Sequence, residues 1–187
     1  LIIVIIVTLL GGNPEDLVGN LGTTDPSSSV PYKETEQEKE LSEFVSVVLA
    51  DTEKVWTEIF QENGMEYVEP TLVLYTESVN SACGVAGASV GPFYCPVDQK
   101  LYIDLSFYQE LQTKFNAPGD FAMAYVIAHE VGHHVQTLLG TTDQVMPLRQ
   151  KLSEEEFNKY LVRFELQADY FSGVWANHAQ GMGYLEE

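Results

Sequence analysis

Residues 129–133 read HEVGH. Two imidazoles four residues apart on a helix stand on one face, about one turn from each other, and at that separation both can reach a single Zn²⁺ without distorting the backbone. Glu130, beside the first of them, projects over the same point, where it can take a proton from a water activated there. A catalytic zinc uses three protein ligands and keeps one position open, so another part of the chain has to supply the third. The stretch RFELQADYF, residues 163–171, carries Glu165 and Asp169, again one turn apart, within an apolar and aromatic segment where bare carboxylates are costly. A nearby cation accounts for both. Glu165 is then the third ligand, and Asp169 is the acceptor that fixes the tautomer of a ligand histidine, His129. The alternative for this acidic pair is a solvated helix face with ion pairs to Arg163 or Lys159.

Peptide-bond hydrolysis with Glu130 as general base is the reaction expected of such a constellation. It also needs a donor for the tetrahedral oxyanion. Tyr170 and His178, further along the helix of Glu165, are the candidates, with ordinary packing or surface roles as the alternative for each. His134 points about 100° away from His133 and is expected not to bind metal, but to hydrogen-bond at the cleft or surface. Gly132 costs about 1 kcal/mol in mid-helix relative to Ala, which close approach of another backbone beneath the metal would justify.

The elements that carry these residues follow from periodicity. Apolar residues recur at three- and four-residue steps from about Glu34 to Asn63, predicting an amphipathic helix with Gly64 as its stop. TLVLYT after Pro70 reads as a strand. A Gly- and Ser-rich loop carries Cys83, and a second strand centres on Leu101, Ile103 and Leu105. Pro92 and Pro96 cannot donate ladder hydrogen bonds, so the Tyr94–Leu105 region is expected at a sheet edge, where an extended peptide could add as a strand. Asp120 is the expected N-cap of a long helix running to about Leu139, with Gly140 at its C′ position. Ser153 and Glu156 form a capping signal for another helix through about Ala176. Helix, strand, strand, helix, helix is an α+β order, with a small edge-exposed sheet packed on the HEVGH helix and further helices.

Bulk properties bound the rest. The 187 residues suffice for one core. With 28 Asp and Glu against 9 Lys and Arg, the net charge is −19, which keeps the surface soluble and makes nucleic acid an unfavourable partner. LIIVIIVTLL, residues 1–10, is shorter than the roughly 20 apolar residues of a spanning helix and reads as the remnant of an N-terminal membrane anchor. A buried N-terminal strand is the alternative. Residues 11–34, rich in Gly, Pro, Ser, Thr and Asn, read as a flexible tether. Between Gly11 and Tyr32 there is no Lys or Arg, so the positive-inside tendency puts that side outside the cytoplasm. Cys83 and Cys95 fit such a compartment as one disulfide, contributing roughly 3 kcal/mol. Two free buried thiols are the alternative.

AYVIAHEVGHHVQ followed by ELQAD, together with FVSVVLADTEKVW, PTLVLYTESVNSACG and GPFYCPVDQKLYIDLSF upstream, resembles the bacterial membrane-anchored neutral zinc metallopeptidases, over roughly residues 41–177. The E-x-x-x-D element is similar to that of the gluzincins, where Glu is the third zinc ligand. The resemblance implies a zincin-like fold, a Zn²⁺ cofactor, a peptide or protein substrate, and a catalytic domain, residues 35–187, anchored on the extracytoplasmic side at the bacterial surface or in the periplasm. Family members continue beyond GMGYLEE, so the domain is expected to be truncated at its C-terminus. The competing expectation is a membrane-tethered zinc- or protein-binding module of the same fold without turnover, against which an intact Glu130 argues. Oligomeric state is open.

Overall fold

The computed structural model describes residues 35–87, 90–108 and 120–179. The expected anchor and tether, residues 1–34, lie outside them. No described helix is long and apolar enough to cross a membrane.

Helix α1 (Glu36–Glu62) begins at a capping box, in which the Thr35 side chain accepts the Glu38 N–H and the Glu38 carboxylate accepts the Thr35 N–H. Its apolar stripe, with Val45, Val48, Val55, Trp56 and Phe60, is buried, as the three- and four-residue spacing requires. Strands β1 (Thr71–Tyr75), β4 (Phe93–Cys95) and β5 (Lys100–Asp104) form a sheet in the order β1-β5-β4. β5 runs parallel to β1, with Thr71 beside Lys100 and Tyr75 beside Asp104, and antiparallel to β4, with Tyr94 opposite Leu101. The edge expectation is therefore corrected in part. β4, flanked by both prolines, is an edge, but β5 is central, and Leu101 to Asp104 are all buried. The prolines restrict only the strand they flank.

The loop around Cys83 contains a hairpin that periodicity does not signal, β2 (Ser78–Ser81) paired with β3 (Gly84–Gly87). Its turn is tied to the sheet twice. Cys83 and Cys95 are disulfide-bonded, with 5.8 Å between their Cα atoms. Asp98 accepts both the Ala82 N–H, at 3.1 Å, and the Tyr102 hydroxyl, at 2.7 Å. Burial opposes charge on Asp98, but these hydrogen bonds outweigh it and lower its pKa.

Helix α2 (Asp120–Leu138) has Asp120 as its first residue rather than its cap, and the Asp120 carboxylate accepts the Tyr108 hydroxyl. Gly140 follows it at φ 74°. Helix α3 (Thr141–Val145) and a 3₁₀ turn (Met146–Gln150) lead to helix α4 (Glu154–Ala179), which opens on the expected Ser153–Glu156 box. Trp56, Leu101, Ile103, Ile127, Val131 and Trp175, drawn from α1, β5, α2 and α4, share one core, each large side chain contributing about 1.5–3 kcal/mol by leaving water. This is an α+β, zincin-like arrangement in which α2 is the central element.

Candidate metal centre

Residues 129–136 of α2 are buried without interruption. A helix that is apolar or packed on every side belongs in the interior, so its polar residues must find partners there. The i, i+4 spacing brings the His129 and His133 rings to 4.7 Å, nearly perpendicular. α4 crosses this face so closely that a Cβ added to Gly132 would sit 2.9 Å from the Ala168 carbonyl oxygen and 3.1 Å from its Cα. The glycine thus permits the approach its sequence position suggested.

That approach sets Glu165 opposite the histidines, its Oε2 3.4 Å from both His129 Nε2 and His133 Nε2. One ligand atom from each residue lies within 4.8 Å of the others, and all three residues are buried. Both Nε2 atoms and both Glu165 oxygens lack a hydrogen-bond partner. Four buried polar atoms that converge with no hydrogen bond, only ion-pair contacts at 3.4 Å, are costly to keep in the interior. A cation between them removes that cost, and two imidazole nitrogens with one carboxylate are a donor set suited to zinc. The residues present fit the ion.

The outer nitrogens are held separately. Asp169 Oδ1 lies 2.9 Å from His129 Nδ1, the contact expected from the sequence, and the acidic pair makes no ion pair with Lys159, which meets Glu155 instead. His133 Nδ1 contacts Gln136 Oε1 at 2.8 Å, and the Gln136 amide donates onward to the Phe164 carbonyl and Gln167 Oε1. With Nδ1 donating in both rings, each Nε2 is left free to face Glu165. The sequence does not signal Gln136, since an amide three residues from a histidine carries no motif; its i+3 position is the one available cue. Burial disfavours charge on His129, yet without an ion Asp169 and Glu165 outweigh it and raise its pKa to about 10, so Nε2 also holds a proton there, which a bound cation would displace. Burial likewise works against a charged Glu165, and the two histidines outweigh it, lowering its pKa to about 2.

Glu130 is buried beside the candidate ligands. Its burial pushes the carboxyl above the ordinary carboxylate range, opposed by His133, His129 and the Tyr94 N–H that reaches it. A cleft of about 350 Å³ runs past Glu130, walled by the hairpin, Tyr94 and the first turns of α4.

His134 is fully buried, not at the cleft or surface. Its Nε2–H donates to the Val68 carbonyl at 2.6 Å and its Nδ1 accepts the Tyr94 hydroxyl at 3.0 Å. Both nitrogens are used, so it is not a ligand, and it ties edge strand β4 to the motif helix. Neither candidate oxyanion donor joins the cluster. Tyr170 is 68% exposed beside Phe171. His178 donates to the Val174 carbonyl of its own helix, and the helical rise from Glu165 to His178 is about 20 Å.

The family described as "Putative neutral zinc metallopeptidase" matches residues 1–187. The chain belongs to this family. Among relatives, the "Uncharacterized protein YpfJ" of Escherichia coli K12 is 46% identical over 188 residues, covering 100% of the chain and 65% of YpfJ. The "Uncharacterized protein Rv2575" of Mycobacterium tuberculosis H37Rv is 44% identical over 128 residues, covering 64% of the chain and 42% of that relative. The chain thus spans less than two thirds of the relatives it matches. No solved structure matches it.

Proposed function

We propose that the chain carries the active site of a zinc-dependent peptidase, with His129, His133 and Glu165 as metal ligands and Glu130 as general base. The observation that carries this reading is the convergence of unpartnered His129 Nε2, His133 Nε2 and Glu165 oxygens next to a buried carboxylate with a raised pKa. A zinc ion held there by His129, His133 and Glu165 would supply Lewis acidity toward a scissile carbonyl and the attacking water. Glu130 accepts the proton of that water on a carboxylate oxygen and returns it to the departing amine nitrogen. Asp169 and Gln136 keep the two imidazoles in the tautomer that presents Nε2, and edge strand β4 offers backbone groups along which an extended peptide can lie.

The test combines metal analysis with peptide cleavage. Glu130→Gln is expected to retain zinc and lose activity by a factor on the order of 10³ or more. Zinc bound by wild type without cleavage of any peptide, also in the full-length protein, would favour the non-catalytic module. An N-terminal anchor with the domain outside the cytoplasm belongs to the same proposal, supported by the apolar run at residues 1–10 and by the Cys83–Cys95 disulfide.

A further inference from the structure

We infer that the cleft beside Glu130 selects peptides in which a carboxylate lies next to an apolar side chain, and that Arg149 receives the carboxylate. The inference deepens the peptidase reading and rests on it. Val85, Ala86, Phe93, Met146, Phe157 and Leu161 give the cleft an apolar lining, and Val85 is 73% exposed at its rim. At about 350 Å³, the space suits roughly two residues of an extended peptide. Among the described residues, Glu130 and Arg149 are the charged side chains that line it.

Arg149 is set apart by its place. Like most of the described basic residues it stands exposed and makes no ion pair with a described residue, but it is the basic side chain that lines the cleft. Its turn is nonetheless fixed. Met146 and Leu148 pack on Phe157, Leu161 and Phe164, and the Lys151 and Leu152 N–H groups both donate to the Leu148 carbonyl at 2.9 Å. An arginine carried on a fixed turn at the edge of an apolar cleft, its side chain free of ion pairs with described residues, can present a planar donor fork that matches a carboxylate. The net charge of −19 acts against anionic peptides at long range, so the selection is a contact property and not steering. The carboxylate is supplied either by an Asp or Glu side chain or by the C-terminus of the peptide.

The experiment measures binding of labelled short peptides to zinc-loaded Glu130→Gln protein, which removes turnover from the readout. All peptides share an apolar residue, followed by Glu with an amidated end, Gln with an amidated end, Gln with a free C-terminus, or Lys with an amidated end. The two carboxylate-bearing peptides are compared to learn which source is used. At least one should bind about tenfold more tightly than the amidated Gln peptide. Arg149→Glu, added to the same protein, should abolish that preference and favour the Lys peptide, and Arg149→Lys should retain part of it. Equal binding of acid and amide, an unchanged order in Arg149→Glu, or no binding by any peptide overturns the inference. Zinc content is measured in each preparation. If the carboxylate preference holds while wild type cleaves nothing, the catalytic reading fails and the Arg149 assignment stands.

Discussion

Around His129 and His133 the backbone is held from within: α2 is buried through eight successive residues, and α4 lies against Gly132 at backbone contact. Across the cleft, the β2–β3 hairpin contributes only Ala86 to the buried core and is held by tethers, one covalent through Cys83–Cys95 and one through Asp98. The helical side is rigid because its atoms are packed. The hairpin side is positioned because a few bonds pin it. A ligand set requires the first kind of order, since small displacements forfeit coordination. A wall of the proposed peptide cleft can rely on the second.

The contrast can be broken at either end. The largest effect is expected on the helical side: Glu165→Ala removes one of the three proposed ligands and should lower zinc affinity by a factor of about 10³ or more, read by metal titration, while the fold persists in circular dichroism. Zinc retained at wild-type affinity would refute Glu165 as a ligand. On the hairpin side, Cys83→Ser with Cys95→Ser should cost roughly 3 kcal/mol of global stability in denaturant unfolding but leave zinc stoichiometry intact. If the metal is lost with the disulfide, the two regions are not independent.

Gly132→Ala should cost about 2 kcal/mol by forcing α2 from α4, and it should weaken zinc binding as well, since Ala168 lies between Glu165 and Asp169. A stable variant with native zinc affinity would show that the helices can part without disturbing the ligands. The smallest effect is Asp98→Asn, about 1 kcal/mol. Because folding lowers the Asp98 pKa below its ordinary 3.8, its contribution is complete above pH 3.8 and is lost as pH falls further toward the folded value. Wild type should therefore lose, between pH 4 and the folded pKa, an advantage over Asp98→Asn that it holds at neutrality; a constant difference would argue against the charge.

The two regions also differed in how far the sequence disclosed them. HEVGH and ELQAD could be read because helical spacing converts residue number directly into a shared face, and the capping residue Ser153 marked the start of α4. Long apolar periodicity disclosed α1 for the same reason. The hairpin was not legible: SVNS and GVAG are four-residue strands with little apolar content, and their pairing depends on tethers distant in sequence. Nor was the central place of β5, since strand order is set by pairing, and the prolines restrict β4 alone. His134 and Gln136 illustrate the limit at the site itself. Their roles depend on Val68, Tyr94 and Phe164, partners that periodicity along one helix cannot name.

The unbroken burial of residues 129–136 has a consequence for anyone redesigning the molecule. With no side of that helix facing solvent, nearly every substitution there meets a packed neighbour or a buried polar group, so a change in the proposed peptide selectivity is not to be sought by editing it. Variation can be placed on the exposed hairpin instead, at Val85 for example, where a new side chain changes the shape offered to a peptide and leaves the ligand-bearing helices untouched.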